Sequence, residues 1–144
     1  MKVWTITLNT APDRSLFCEV GMRGRNREAG GDYSIRYRFE RGVAPVLIVS
    51  ATALKLSVVE NLSLAVDGRA LGTLKTRRTR LAGDEVLAAS IDAGRFDGTI
   101  LPALLKPDAI GLELSAGGRL LQAPIQGWGA VMGNLEACMA RLPG

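Results

Sequence analysis

"DYSIRYRF", residues Asp32 to Phe39, alternates apolar and polar side chains without a break. Tyr33, Ile35, Tyr37 and Phe39 fall on one side, and Ser34, Arg36 and Arg38 on the other. A period of two belongs to an extended strand with one buried and one wetted face, as an antiparallel sheet provides. Neighbouring segments repeat the pattern. Upstream, Val3–Leu8 and Leu16–Met22 are expected as strands, joined through "NTAPDR", where Asn, Pro and Asp favour a turn. Downstream, "VLIVSA" (Val46–Ala51) is continuous and β-branched, the composition of a strand buried on both faces or of one at a sheet centre. Leu54, Leu56 and Val58 alternate next. Leu62, Leu64 and Val66 then alternate into Asp67–Gly68, a strong hairpin signal, and the return strand is expected over Arg69–Lys75.

Beyond that hairpin the pattern changes. "RRTRLAGDE" (Arg77–Glu85) reads as a loop or frayed edge, and Val86–Ile91 as a short strand. Phe96, Ile100, Leu101, Leu104 and Leu105 recur at helical spacing, which predicts a short helix near 96–105, interrupted or begun at Pro102. Ile110, Leu112 and Leu114 restore alternation, Ala116–Gly118 turn the chain, and Arg119–Gln126 return. Trp128, Val131, Met132, Leu135, Cys138, Met139 and Leu142 lie at i, i+3, i+4, i+7 spacing, which predicts an amphipathic helix over 128–141, stopped by Pro143 and Gly144. Many short strands with two helices predict a mainly β fold: one antiparallel β-sandwich or flattened barrel over residues 1–144.

Composition narrows the function classes. With 47% hydrophobic and 22% charged residues in 144, the chain has ordinary globular composition and enough length for one core. The uncharged run Gly42–Leu54 is shorter than the roughly 20 apolar residues of a membrane-spanning helix. Residues 1–10 lack the apolar core and cleavage site of a leader, so a cytoplasmic chain, or one numbered after leader removal, is expected.

The net charge is +4, and the cations are mainly arginine, 14 Arg against 4 Lys. They cluster in "RGRNRE" (Arg23–Glu28) and "KTRRTR" (Lys75–Arg80), expected as solvated loops or as contacts for an anionic surface. Neither cluster contains an aromatic ring on which a base could stack, so nucleic acid is not the expected partner. The chain has no histidine, which excludes Ser-His-Asp and Cys-His catalysis and a His-bearing zinc site. An enzyme built here would rely on carboxylates, lysine, tyrosine or a cofactor; the candidates are Asp84–Glu85, and Asp92 with Asp97. Such a pair could hydrolyse a glycoside at about 5–9.5 Å separation. Helix capping by Asp92 and Asp97 and loop solvation by Asp84–Glu85 are the simpler roles. No cofactor is expected, since "GMRGRNREAGG" (21–31) lacks the spacing of a phosphate-binding loop. Trp128, between two glycines, is expected to anchor the last helix rather than to meet a ligand.

Two cysteines remain. Cys18 and Cys138 are either small buried hydrophobes or a disulfide pinning the terminal helix to the sheet. No Cys-x-x-Cys spacing suggests a redox-active pair.

The order of features along the chain resembles the invasion-associated locus B family of small proteobacterial periplasmic proteins. The shared features are an early Trp4 and Cys18, a strand running into "VDG" (Val66–Gly68), and "GWGAVMGNLEAC" (Gly127–Cys138) at the end. Members of that family often carry further cysteines and a leader. The resemblance implies an exported, β-rich, non-catalytic protein, with some members linked to host-cell entry, and it supplies no catalytic residues. In such a compartment Cys18 and Cys138 are expected to be joined. The leading expectation is therefore a periplasmic or secreted protein that binds a protein or envelope component. Its contacts would be Arg23, Arg25, Arg27, Arg36, Arg38, Arg77, Arg78 and Arg80, with Arg41 beside them. A cytoplasmic nucleic-acid or anion-binding module and a small carboxylate-based carbohydrate-active enzyme are the alternatives.

Overall fold

The computed structural model describes residues 4–26, 31–51, 61–81, 83–106, 108–116 and 119–143. Its strands are β1 (Thr5–Thr10), β2 (Leu16–Asn26), β3 (Gly31–Glu40), β4 (Val43–Ala51), β5 (Asn61–Val66), β6 (Arg69–Lys75), β7 (Arg77–Leu81), β8 (Asp84–Ser90), β9 (Gly111–Ala116) and β10 (Arg119–Pro124). Antiparallel pairing gives a six-stranded sheet, β1-β2-β3-β4-β8-β7, and a four-stranded sheet, β10-β9-β5-β6. The two sheets share one core, which makes the fold a sandwich rather than a closed barrel.

The alternation that opens the argument places each side chain as its period requires. Tyr33, Ile35, Tyr37 and Phe39 of β3 are buried, while Ser34, Arg36 and Arg38 point to the outward side and are half-buried. β4 lies between β3 and β8, with Leu47 and Val49 in the main core. Its alternate residue Ile48 joins Val86 and Ala88 in a second, outward apolar cluster, edged by Val46 and Leu81. That double burial is why the segment has no polar face. The Asp67–Gly68 hairpin forms with positive φ at both residues, 50° and 81°. A two-residue turn of this hand matches strand twist, and glycine takes the second position without a Cβ clash.

The helical regions follow the predicted apolar spacing with one local change. Asp92 caps α1 (Ala93–Arg95), accepting a bond from the Arg95 amide at 3.3 Å. Phe96–Ile100 form a π-turn, and α2 (Leu101–Leu104) follows with Pro102 in its first turn, where a missing N–H is tolerated. Phe96, Ile100 and Leu104 are buried, whereas Leu105 is exposed. The last helix, α3 (Trp128–Ala140), buries Trp128, Val131, Leu135 and Cys138 and packs on β1 and β2. Cys138 is bonded to Cys18 on β2, across 120 residues of chain. Of the two roles left open for the cysteines, the covalent one is realised. No helix among the described residues is long and apolar enough to cross a membrane.

Three expectations need correction. Arg77–Leu81 is a strand, because β8 offers it a backbone partner from Arg77↔Ala88 to Leu81↔Asp84. The Arg23–Arg25 part of the first basic cluster lies on β2, which runs on to Asn26 by pairing with β3. The first strand is shifted to Thr5–Thr10, in register with Gly21–Leu16. The alternation at Leu54–Val58, the turn residues 117 and 118, and Arg27 lie outside the described residues.

Candidate functional site

Strand parity decides which arginines share a surface. Partners directly opposite each other in an antiparallel pair point to the same face. Gly21↔Arg36, Arg36↔Ile48, Ile48↔Ala88 and Ala88↔Arg77 form one outward row across five strands. Glu19↔Arg38↔Val46↔Ser90 form the next row, and Arg23↔Ser34 and Arg25↔Asp32 lie beyond. Arg23, Arg25, Arg36, Arg38 and Arg77 therefore occupy one side of the six-stranded sheet. Arg78 and Arg80 alternate with Arg77 and point to the other side, where both approach Glu85, at 2.5 Å and 3.7 Å. The sequence cluster around Arg77–Arg80 is split between two faces.

On the outward face the inner arginines lie flat. The Arg36 stem crosses Gly21, where a Cβ would come within 3.1 Å of its Cγ, and its guanidinium faces Glu19 at 3.9 Å. The Arg38 guanidinium stacks 3.9 Å above the Phe17 ring, a cation–π contact. Where a wetted face was expected, both stems are half-buried, and the Nε atoms of both residues are enclosed without a hydrogen-bond partner among the described residues. Arg25 pairs at long range with Asp32, 3.8 Å, both well exposed. Arg23, Arg38 and Arg77 have no carboxylate partner among the described residues. The apolar cluster of Ile48, Val86 and Ala88 separates Arg36 from Arg77. Arg41 stands apart: its guanidinium donates to the Met139 carbonyl at 3.0 Å and caps α3.

The carboxylates have other work. Asp92 caps α1 and Glu85 is held by arginines, while Asp97 is exposed on the π-turn. A surface groove of about 450 Å³ is lined by Asp67, Ile110, Glu113, Gln122 and Gln126. There Asp67 accepts from the Gly111 amide at 2.9 Å and the Ile110 amide at 3.1 Å, and Glu113 accepts from the Gly68 amide at 2.7 Å. Both carboxylates thus hold the β5–β6 turn against β9, a role that "VDG" does not announce in sequence. No three Asp, Glu or Cys side chains gather as a metal cage among the described residues.

Trp128 is fully buried, 5.4 Å from both Trp4 and Tyr37, so it anchors the helix as expected. Burial pushes the Tyr37 phenol well up and the Tyr33 phenol up. The Ser15 hydroxyl and amide hold Asp13 below the usual carboxylate range. None of these groups belongs to the arginine face. Compared with known proteins, the chain matches no family model, no curated protein and no solved structure.

Proposed function

We propose that the protein is a non-catalytic binding module of an oxidising compartment, periplasmic or extracellular, which captures an acidic protein surface on the outward face of its six-stranded sheet. The observation that carries this reading is the placement of Arg23, Arg38 and Arg77 on one face, without carboxylate partners among the described residues. A guanidinium presents paired donors that match a carboxylate bidentately, and arginine is enriched with aromatic residues at interface centres. Arg38 is already ordered on Phe17, so less side-chain freedom is lost when a partner binds. A disulfide joining Cys18 to Cys138 is the chemistry of an oxidising compartment and supports the exported address.

Binding to an immobilised polyglutamate peptide, read by surface plasmon resonance across a salt series, tests the face. Wild type is expected to bind with an affinity that falls as salt rises. The double reversal Arg23→Glu/Arg77→Glu should weaken it by about tenfold or more, equivalent to about 1.4 kcal/mol or more. Arg80→Glu, on the opposite side of β7, is the control and should bind nearly as wild type. Equal binding by the double variant would remove this face from the case.

A further inference from the structure

The groove beside the β5–β6 hairpin keeps a negative charge that its wall does not offset. Asp67 and Glu113 both line it and no lysine or arginine does. Neither carboxylate has a cationic partner among the described residues. The chain as a whole carries +4, so this is a local reversal of sign. Holding the turn does not use these groups up. The backbone amides that donate to them carry no net charge, and Oε2 of Glu113 has no partner among the described residues. The rest of the wall is of two kinds. Ile110, 66% exposed, and Pro124 are apolar, whereas Gln122 and Gln126 bring amides that make no side-chain hydrogen bond among the described residues.

We propose that this groove binds a lysine side chain presented by a partner peptide, with the ammonium between Asp67 and Glu113 and the alkyl stem against Ile110 and Pro124. Sheet order supplies the fit. β9 lies between β5 and β10, so the carboxylates meet the hairpin on one side of it and Pro124 and Gln122 stand on the other. Each side is one strand spacing, about 4.8 Å, from β9. Between them the floor is Gly111, paired with Pro124 and bare of a side chain. A long stem can therefore cross β9, cover its methylenes on the apolar wall and keep its charged head paired. The volume, about 450 Å³, takes one such side chain with its flanking peptide groups.

Hydrogen bonding selects lysine over arginine. Both oxygens of Asp67 already accept from the Ile110 amide, at 3.2 and 3.1 Å, so its fork cannot take a guanidinium bidentately. A compact ammonium needs only one acceptor direction from each carboxylate. The Gln122 and Gln126 amides match the donors and acceptors of the peptide groups beside that lysine, which favours a peptide over a free amine. The groove lies on the four-stranded sheet, and the proposal does not rest on the arginine face of the other sheet.

Nuclear magnetic resonance titration of the oxidised full chain with the blocked tripeptide acetyl-Gly-Lys-Gly-amide tests the groove directly. The amide signals of Gly68, Ile110 and Gly111, which donate to the two carboxylates, should shift saturably, with affinity falling as salt rises. The matching arginine tripeptide, and n-butylamine as the stem and head without peptide groups, should each bind about threefold or more weakly. Glu113→Gln keeps an oxygen for the Gly68 amide while removing the charge. Gly111→Val fills the floor without changing charge, and a Cβ there meets only the Ala123 carbonyl, at an ordinary 3.8 Å. Both variants should lose about fivefold or more in affinity for the lysine tripeptide at a nearly unchanged thermal midpoint, while Glu136→Gln on α3 should bind as wild type. Wild-type amides that do not shift saturably, equal binding of the arginine tripeptide or n-butylamine, wild-type affinity in Glu113→Gln and Gly111→Val, or an equal loss in Glu136→Gln would each overturn the proposal.

Discussion

Tyr37 carries a buried phenolic hydroxyl on a ring packed in an aromatic group with Trp4, Phe39, Phe96 and Trp128, and that hydroxyl has no hydrogen-bond partner among the described residues. The ring contributes packing, with Trp128 edge-on at 5.4 Å, while the oxygen contributes an unreturned desolvation cost. Removing only the oxygen should therefore leave stability unchanged or raise it by about 1 kcal/mol. Urea unfolding of Tyr37→Phe measures this, and a loss of more than about 2 kcal/mol would mean that the hydroxyl is paired after all. The same group gives the protein an alkaline limit. An unfolded tyrosine ionises near pH 10, whereas burial holds the folded phenol neutral beyond that. The unfolded chain loses its proton first, so stability is level below about pH 10 and falls as pH rises past it. The slope should shrink in Tyr37→Phe, and the part that remains is expected from Tyr33, also raised by burial.

At the scale of elements, α3 is tied down by three devices of different kinds. Its apolar stripe is buried, Arg41 accepts the task of capping its Met139 carbonyl, and Cys138 is bonded to β2. Closing a loop of 120 residues restricts the unfolded chain and should contribute about 4–5 kcal/mol in the chain-entropy model. Urea midpoints with and without reductant, and for Cys18→Ala/Cys138→Ala, should fall accordingly; equal midpoints would mean that the bond adds nothing to stability. The stripe was legible from Trp128 to Leu142, because helical period is a local property of the chain. The disulfide was not, since counting two cysteines cannot show whether they meet. β7 was missed for a related reason. Arg77–Leu81 has little β-propensity of its own, and it becomes a strand because β8 presents unpaired backbone beside it.

Across the whole molecule, one core joins both sheets, the π-turn, α2 and α3, and Trp4 and Trp128 sit together within it. Unfolding should thus be a single transition, with tryptophan emission and far-ultraviolet circular dichroism tracing the same urea curve. Separate midpoints would show that the four-stranded sheet can come apart on its own. The candidate site was half legible. Alternation in "DYSIRYRF" set Arg36 and Arg38 on the outward side, but their flattening onto Gly21 and Phe17 depends on β2 lying next to β3 in one register. The sequence by itself determined the strand periods, the Asp67–Gly68 turn and the apolar side of the last helix, because each is written in neighbouring residues. Tertiary structure alone decided that Arg77 joins Arg38 while Arg78 and Arg80 turn away, that Arg41 reaches Met139, and that Cys18 meets Cys138. Those outcomes depend on register and on contacts between distant segments, which side-chain order along a single stretch does not encode.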